Sequence, residues 1–350
     1  MEKKTGYKQI ADELRSEIMS GSLEAGKRLP PERELCGRWN VERTTLRRAL
    51  ALLAEEGLIE KKSGYGSIVR SRSNDLISFI TTGNGTSTTK VLELEHHFMS
   101  PVCDRFAALC AENGCREISV TLTGNAEGRL ESFRTLLDSS RALVLADNIP
   151  DSFLETVKRS GKPCVLFSQR EKGFRSVLCD NDSGLLQAVD HLYGLGHRNI
   201  AFLGGEGEFL NSKARADGFR RAMQSHNLDG KVLECGWSDK QGEYGFRMLH
   251  ELNPGITAVC CVNDQVALGV CRAAEALGKK PGVDFSVVGF GDTLNPENSE
   301  YRLTSILIPP ARVARELWRA LQWEIENPFS DPATVLVEAE LIVRETTCTL

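Results

Sequence analysis

The 350-residue sequence lacks the features of a membrane or secreted protein. No apolar run approaches the ~18 residues of a membrane helix, and Met1 to Lys4 lead into a polar amphipathic pattern instead of the apolar core of a signal peptide. The 11 cysteines include no Cys-x-x-Cys pair, which favours reduced core thiols over a metal or redox site. These absences predict a cytoplasmic protein that has no membrane contact and no metal.

Motifs of the common enzyme classes are also missing. The chain has no Gly-x-Ser-x-Gly elbow, no P-loop, no Gly-x-Gly-x-x-Gly fingerprint and no His-Glu-x-x-His. Its one histidine pair, His96-His97, is a poor metal site because adjacent side chains point in different directions. No cofactor is predicted, and an enzyme acting on a sugar or related metabolite is kept only as the alternative function.

The charge is divided unevenly along the chain. The net charge is −5 overall, yet residues 1–72 hold 15 Lys and Arg against 11 Asp and Glu. The remaining residues hold 28 against 37. A basic surplus confined to the first segment suits a domain that neutralises DNA phosphates.

The pattern of residues 26–69 predicts a helix-turn-helix with a β-wing. A short helix runs from Glu32 to Trp39, the chain breaks at Asn40, and a second helix begins at Glu42. Its apolar residues fall at i, i+3, i+4 and i+7, which makes one buried stripe and leaves the cationic first turn free. Residues 58–61 and 67–69 then predict a hairpin with glycines at its tip. The buried stripe consists of Leu46, Ala49, Leu50 and Leu53.

This stretch resembles the GntR family of winged helix-turn-helix regulators. The resemblance is carried by LPPEREL at 29–35, RTTLRRAL at 43–50, EGLI at 56–59 and GYGSIV at 64–69. It departs from the family pattern at Pro31 and Glu42, where serine is usual. The resemblance implies that this protein binds double-stranded operator DNA as a homodimer. The implied DNA-contacting residues are Arg33, Arg43, Thr44, Thr45, Arg47, Lys62, Gly64 and Gly66.

The rest of the chain predicts an α/β domain. Residues 73–89 are rich in Ser, Thr, Asn and Gly, which predicts a linker between a first domain at 1–72 and a second at 90–350. From Lys90 onward strand and helix patterns alternate, beginning with a predicted strand at 91–94. Such alternation predicts parallel sheets with helices on both faces.

The second domain resembles the effector-binding domain of the LacI/GalR regulators, which is similar to periplasmic sugar-binding proteins. The matching stretches include DNDSG at 180–184, HLYGLGHRNIAFLGG at 191–205, RADGF at 215–219, VNDQVALG at 262–269 and SVVGF at 286–290. The resemblance implies two lobes joined by three crossovers, near Asp180, Asp292 and Asn327. It also implies a small polar effector, sugar or sugar-like.

The resemblance places the effector contacts on a few side chains. Arg215 offers a fork of donors, Trp237 a flat apolar face, and Asn263 both a donor and an acceptor. The structural alternatives are an interlobe salt bridge for Arg215, core packing for Trp237 and a helix cap for Asn263, with Asp264 predicted as the cap of the following helix. Phe98, Gln169 and Asp292 complete the candidate set.

Two positions depart from the sugar-binding pattern. Gly291 and Gln169 stand where the family commonly has aspartates that accept sugar hydroxyls, and Asp292 is the available substitute. The sequence therefore predicts a ligand-responsive transcription regulator, a repressor by the commoner family behaviour, and leaves a sugar, polyol, sugar acid or other polar metabolite open as its effector.

Overall fold

The computed structural model describes residues 6–20, 22–23, 26–62, 66–69, 75–82, 89–207, 209–327 and 331–350, with only the backbone described at 19–20 and 89–97. The chain divides near residue 76 into an N-terminal unit and a C-terminal unit. Each unit is described by itself below.

The N-terminal unit has three helices and a two-stranded hairpin, which include the predicted helix-turn-helix and wing. Buried Leu46, Leu50 and Leu53 pack with Ile10 and Leu14 into one apolar core. The predicted helix and strand ends agree with the observed ones to within one residue. The elements are α1 (Tyr7–Ser20), α2 (Glu32–Trp39), α3 (Arg43–Glu55), β1 (Ile59–Lys62) and β2 (Gly66–Val69).

The turn between α2 and α3 depends on a left-handed residue. Asn40 has φ 48° and ψ 51°, and its N–H donates to the Gly37 carbonyl, while the Val41 N–H donates to that of Cys36. Asparagine tolerates this conformation better than most residues do. The chain therefore leaves α2 sharply and enters α3 with the cationic first turn of α3 exposed.

The C-terminal unit contains two six-stranded sheets. Its helices are α4 (Thr89–Glu112), α5 (Ala126–Ser139), α6 (Asp151–Ser160), α7 (Asn181–Gly194), α8 (Leu210–Ser225), α9 (Asp239–Leu252), α10 (Asp264–Ala276) and α11 (Pro310–Glu326). Its strands are β3 (Leu76–Thr82), β4 (Arg116–Leu122), β5 (Ala142–Ala146), β6 (Cys164–Phe167), β7 (Arg175–Cys179), β8 (Ile200–Gly204), β9 (Lys231–Glu234), β10 (Ala258–Cys261), β11 (Ser286–Gly291), β12 (Thr304–Leu307), β13 (Thr334–Val337) and β14 (Glu340–Ile342).

Each sheet is the centre of one lobe. The strand order is β4-β3-β5-β6-β7-β13 in lobe 1 and β9-β8-β10-β11-β12-β14 in lobe 2. Strands β5 to β7 and β8 to β12 pair in parallel, whereas β14 runs antiparallel to β12. Central strands such as β5 and β8 are buried along their whole length because helices cover both faces. The predicted two-lobed α/β fold is confirmed.

The chain crosses between the lobes three times, but only one crossing lies where it was predicted. The first falls at Asp180, between β7 and α7, as expected. The second lies at residues 308–309, between β12 and α11, and the third at 338–339, between β13 and β14. The predictions near Asp292 and Asn327 are wrong because α11, which packs on α4 and on β5 to β7, belongs to lobe 1.

Two predictions at the domain junction are also corrected. The proposed linker at 73–89 is too long, because residues 76–82 form β3, a strand inside the lobe 1 sheet with Ile77, Phe79 and Ile80 fully buried. The strand predicted at 91–94 is instead part of α4. The polar residues that flank β3 produced the linker composition, although the strand itself is apolar.

Among the helices in the described ranges, none is long and apolar enough to cross a bilayer. All 11 cysteines are free thiols, and six of them are buried. Burial raises the pKa of several of them, including that of Cys260 to about 12, so these thiols stay protonated at neutral pH.

Candidate functional site

The helix-turn-helix presents its predicted contact residues to solvent. Arg43, Thr44 and Arg47 are exposed along α3, and Thr45 is half-buried beside them. The apolar stripe of α3 occupies the opposite side and packs on α1. One helix face is therefore anchored while the other is free to enter a DNA groove.

Arg47 is held loosely before any DNA is bound. Its Nε lies 3.1 Å from a carboxylate oxygen of Glu32, and both side chains are exposed. An exposed pair of this kind contributes only about 0–1 kcal/mol. The Arg47 guanidinium can therefore exchange this partner for a phosphate or a base at little cost.

The remaining predicted DNA contacts lie on α2 and the hairpin. Arg33 and Lys62 are exposed. Gly66 has φ +100°, and a Cβ there would lie 2.9 Å from Nε of Arg28, so the close approach and the backbone both favour glycine. Gly64 lies outside the described residues.

A polar cleft lies between the two lobes, where parallel strands of both sheets end. This is the position in which open parallel sheets bind ligands. The lining residues from lobe 1 are Phe98, Met99, Asp147, Asn148, Ser168 and Cys179. The lining residues from lobe 2 are Phe209, Leu210, Asn211, Arg215, Trp237, Asn263, Gln265, Phe290, Gly291 and Thr293.

Arg215 lies in the lobe 2 wall and makes no salt bridge with any residue in the described part of the chain. Its Nη1 donates to the Val262 carbonyl at 2.6 Å, its Nε to Oδ1 of Asn181 at 3.4 Å, and its guanidinium stacks 3.8 Å from the Phe290 ring centroid. Burial lowers the pKa of Arg215 to about 10, an effect that Cys179, Asp147 and Asp264 oppose. The residue stays charged at neutral pH.

Trp237 and Phe98 supply aromatic surface on opposite walls. Trp237 packs edge-on against Phe209, with 5.4 Å between the ring centroids. Phe98 stacks with Phe167, with 6.4 Å between theirs. Trp237 thus packs in the core and also lines the cleft, so core packing and effector contact are compatible roles for this residue.

Asn263 lines the cleft, but its amide is engaged by the protein. Its Oδ1 caps α10 by accepting from the Val266 N–H at 2.8 Å, and its Nδ2 donates to the Trp237 carbonyl at 3.0 Å. Asp264 is not the cap that was predicted. It is buried and accepts hydrogen bonds from Thr293 and Ser305.

Two of the predicted effector contacts, Gln169 and Asp292, do not line the cleft. Gln169 exchanges hydrogen bonds with the backbone of Ile149, accepting at 2.9 Å and donating at 3.4 Å. The Asp292 carboxylate makes a two-pronged pair with Arg344, at 2.6 and 2.8 Å. Both polar groups are therefore already used inside the protein, and neither lines the cleft.

Sequence reasoning missed the carboxylate that does line the cleft, Asp147. It follows β5 directly, so the rule that ligands bind beyond strand ends was the available signal. Its φ of 60° is rare for a residue other than glycine, as is that of Ser168 at 61°, and such backbone strain concentrates at functional sites. Burial raises the pKa of Asp147 to about 6, against the opposing effects of Asn211 and Arg215.

Two hydrogen bonds across the cleft join the lobes. Nδ2 of Asn211 donates to Oδ1 of Asp147 at 3.1 Å, and the Leu210 N–H donates to Oδ1 of Asn148 at 3.2 Å. The first turn of α8 in lobe 2 therefore contacts the end of β5 in lobe 1. A ligand between the walls would compete with these bonds or reinforce them.

Comparison with known proteins agrees with both halves of the molecule. Residues 6–69 match the family model of bacterial regulatory proteins, gntR family, and residues 189–347 match that of the periplasmic binding protein-like domain. The arabinose metabolism transcriptional repressor of Geobacillus stearothermophilus is 27% identical over 362 aligned residues, covering 97% of each chain.

Two other relatives match only part of the chain. An uncharacterized HTH-type transcriptional regulator of Bacillus subtilis is 30% identical over 197 residues, 56% of this chain and 62% of its own length. A LacI family transcriptional regulator from Enterococcus faecium, solved with bound ribose, superposes with a TM-score of 0.65 at 21% identity, covering 78% of this chain and 99% of that one. The last likeness concerns the fold alone.

These findings together define a transcriptional regulator, built from a DNA-reading unit and a two-lobed domain with a polar cleft. More specifically, the chain joins a domain that matches the gntR-family model to one that matches the periplasmic binding protein-like model.

Proposed function

We propose that this protein is a repressor of carbohydrate or related metabolite genes that a small-molecule effector releases from its operator. The observation that carries the proposal is an interlobe cleft with a buried arginine and a carboxylate on opposite walls, in a chain that also has an exposed cationic helix. A protein that reads DNA and holds such a cleft needs no catalytic group to act.

The DNA contacts follow from the exposed face of α3. Arg43, Thr44, Thr45 and Arg47 enter the major groove with Arg33 beside them, while Lys62 and Gly66 of the hairpin approach the minor groove. Gly64, outside the described residues, stays a predicted contact. A homodimer would place two such faces on a palindromic operator. The site of action is then the cytoplasm, where the DNA lies.

The effector contacts follow from the walls of the cleft. We assign Arg215, Trp237, Phe98 and Asn263 from the predicted set, the last mainly as a positioning group. Asp147 and Asn211 take the places that Asp292 and Gln169 held in the prediction. Aromatic faces with a few polar groups suit a polyhydroxylated, sugar-like metabolite. The repressor relative named for arabinose metabolism supports this class.

Effector binding would act through the lobes. A ligand that touches both walls changes the free energy of lobe closure by its differential contacts, and a dimer transmits that change to the spacing of its two reading helices. The same coupling requires that operator DNA change the affinity for the effector by an equal factor.

The test begins with operator selection from genomic fragments, followed by fluorescence anisotropy with and without a panel of sugars, sugar acids and polyols. We expect Arg47→Ala to weaken operator binding at least tenfold, since one specific arginine contact contributes about 1–3 kcal/mol. Arg319→Ala is the matched control, because Arg319 is equally exposed and equally paired with a neighbouring glutamate.

Wild-type affinity in Arg47→Ala would refute the contact assignment. Failure of every polyhydroxylated compound to change operator binding or the melting temperature would refute the effector assignment.

A further inference from the structure

The two walls of the cleft carry opposite charges. Among the described lining residues, lobe 2 contributes one charged side chain, Arg215, and lobe 1 contributes one, Asp147. The cleft is therefore polarised from one wall to the other, and a ligand that spans it meets a cation on one side and a carboxylate on the other.

The cation is buried without a counter-ion among the described residues. Arg215 is only 9% exposed, and no carboxylate of the described residues lies within salt-bridge distance of its guanidinium. Nε and Nη1 each donate one hydrogen bond to a neutral oxygen, whereas Nη2 donates none to any described residue. A buried arginine normally has a paired charge, because burying an uncompensated one is unfavourable.

A second donor belongs to another residue that lines the cleft. Nε1 of Trp237 is buried and makes no hydrogen bond with the described residues. Buried tryptophan N–H groups usually find a partner. Lobe 2 thus holds two donor groups that have no acceptor among the described residues, and one of them is charged.

The acceptors that could serve these donors are already engaged or missing. Oδ1 of Asn263 caps α10, the Asp264 carboxylate accepts from Thr293 and Ser305, and the Asp292 carboxylate pairs with Arg344. Position 291, where an aspartate would stand in the resembling family, is Gly291. Among the residues that the structure describes, no carboxylate on the lobe 2 wall remains for Arg215.

Resting on the function proposed above, we infer that the effector is a sugar acid, whose carboxylate binds Arg215 and Trp237 on lobe 2. Its hydroxyl groups face Asp147 on lobe 1, where Oδ2 has no described partner. The carboxylate accepts from Nη2 and Nε1 in charge-assisted hydrogen bonds, and the hydroxyls donate to the aspartate. The ligand then matches the polarity of both walls.

The experiment is isothermal titration calorimetry of the full-length protein with matched pairs of ligands. Each pair shares its carbon skeleton and differs in the acid group: D-galacturonate with D-galactose, D-gluconate with D-glucitol, and L-arabinonate with L-arabinose. We expect at least one acid to bind more than tenfold tighter than its neutral partner, since hydrogen bonds to a charged group are the stronger class.

Two variants locate the preference. Trp237→Phe keeps the aromatic face and removes the N–H, so we expect about a tenfold loss of affinity for the acid and a smaller loss for the neutral partner. Arg215→Gln should abolish the preference for acids. Trp323→Phe is the matched control, because Trp323 lies on α11 and does not line the cleft, so it should change neither affinity.

The outcomes separate this inference from the proposed function. If, in every pair that binds, the neutral compound binds as tightly as its acid, the sugar-acid assignment is overturned and a ligand-responsive repressor is left intact. An acid preference that survives Trp237→Phe and Arg215→Gln undiminished would also overturn it. Absence of binding by every acid and every neutral partner would overturn both proposals.

Discussion

The two functional regions use side chains in opposite ways. In the helix-turn-helix, Arg43 and Arg47 project from the exposed side of a helix whose other side forms the core, and Glu32 is a weakly held partner. In the cleft, Arg215 and Trp237 are themselves buried, and the Asn263 side chain caps α10. DNA contact can therefore be lost without loss of folding, whereas the cleft residues serve folding and binding together.

The largest expected effect concerns the ion pair between Asp292 and Arg344 beside the cleft and its contribution to the stability of the C-terminal unit. Arg344→Ala should destabilise the C-terminal unit by about 3–5 kcal/mol, because it leaves the largely desolvated Asp292 carboxylate without its half-buried partner. Chemical denaturation followed by circular dichroism measures the change. Arg302→Ala is the control: its pair with Glu345 is exposed and should contribute no more than about 1 kcal/mol. Equal effects of the two substitutions would contradict the comparison.

The next effect concerns the core of the N-terminal unit. Leu50→Ala removes a side chain that is 2% exposed and should cost about 2–5 kcal/mol. A unit of this size has little stability to spare, so operator binding should be lost while effector binding measured by calorimetry persists. A loss of both activities would show that the two units do not fold independently.

The third effect depends on pH. Because burial raises the pKa of Asp147 to about 6 in the folded protein, the unfolded chain ionises first, and stability is lost as the pH rises from about 4 through 6. Asp147→Asn removes this loss, so the variant should be more stable than the wild type by about 2 kcal/mol at pH 7.5 and equal to it below pH 4. Melting curves at a series of pH values measure the difference, and a constant difference at all pH values would refute the mechanism.

The smallest effect concerns the turn between α2 and α3. Asn40→Ala should destabilise the N-terminal unit by about 1 kcal/mol, because alanine is strained at φ 48°. Asn40→Gly should change stability by less than about 0.5 kcal/mol, since glycine adopts this conformation freely. Thermal melting of both variants decides the point, and equal destabilisation by both would exclude backbone strain as the cause.

Local pattern sufficed for the helix-turn-helix. Its helices and hairpin depend on neighbours in sequence, such as the stripe of Leu46 and Leu50 and the break at Asn40, so their ends were predicted to within one residue. The α/β alternation of the second unit was predicted for the same reason. β3 was missed because its polar flanks resemble a linker.

The cleft required long-range information. Arg215, Trp237, Asn263 and Phe98 were predicted and do line it, but the pairing of Asp292 with Arg344 joins residues 52 apart in sequence. The contact of Asp147 with Asn211 spans 64 residues. No periodicity in the sequence encodes such meetings, so the pairing that withdraws Asp292 from the cleft became visible only in three dimensions. Asp147 was missed although its position directly after β5 was a usable signal.

The path of the chain through lobe 1 has a consequence for its synthesis. Helix α11 and strand β13 complete that lobe, yet the ribosome makes them only after β12 of lobe 2. In the folded protein the ring of Phe106 on α4 packs against that of Trp318 on α11, with 6.2 Å between the centroids. Until α11 is made, Phe106 is not covered on that side. The nascent polypeptide therefore carries an exposed apolar surface through more than half of its translation, a period in which chaperone binding would protect it from aggregation.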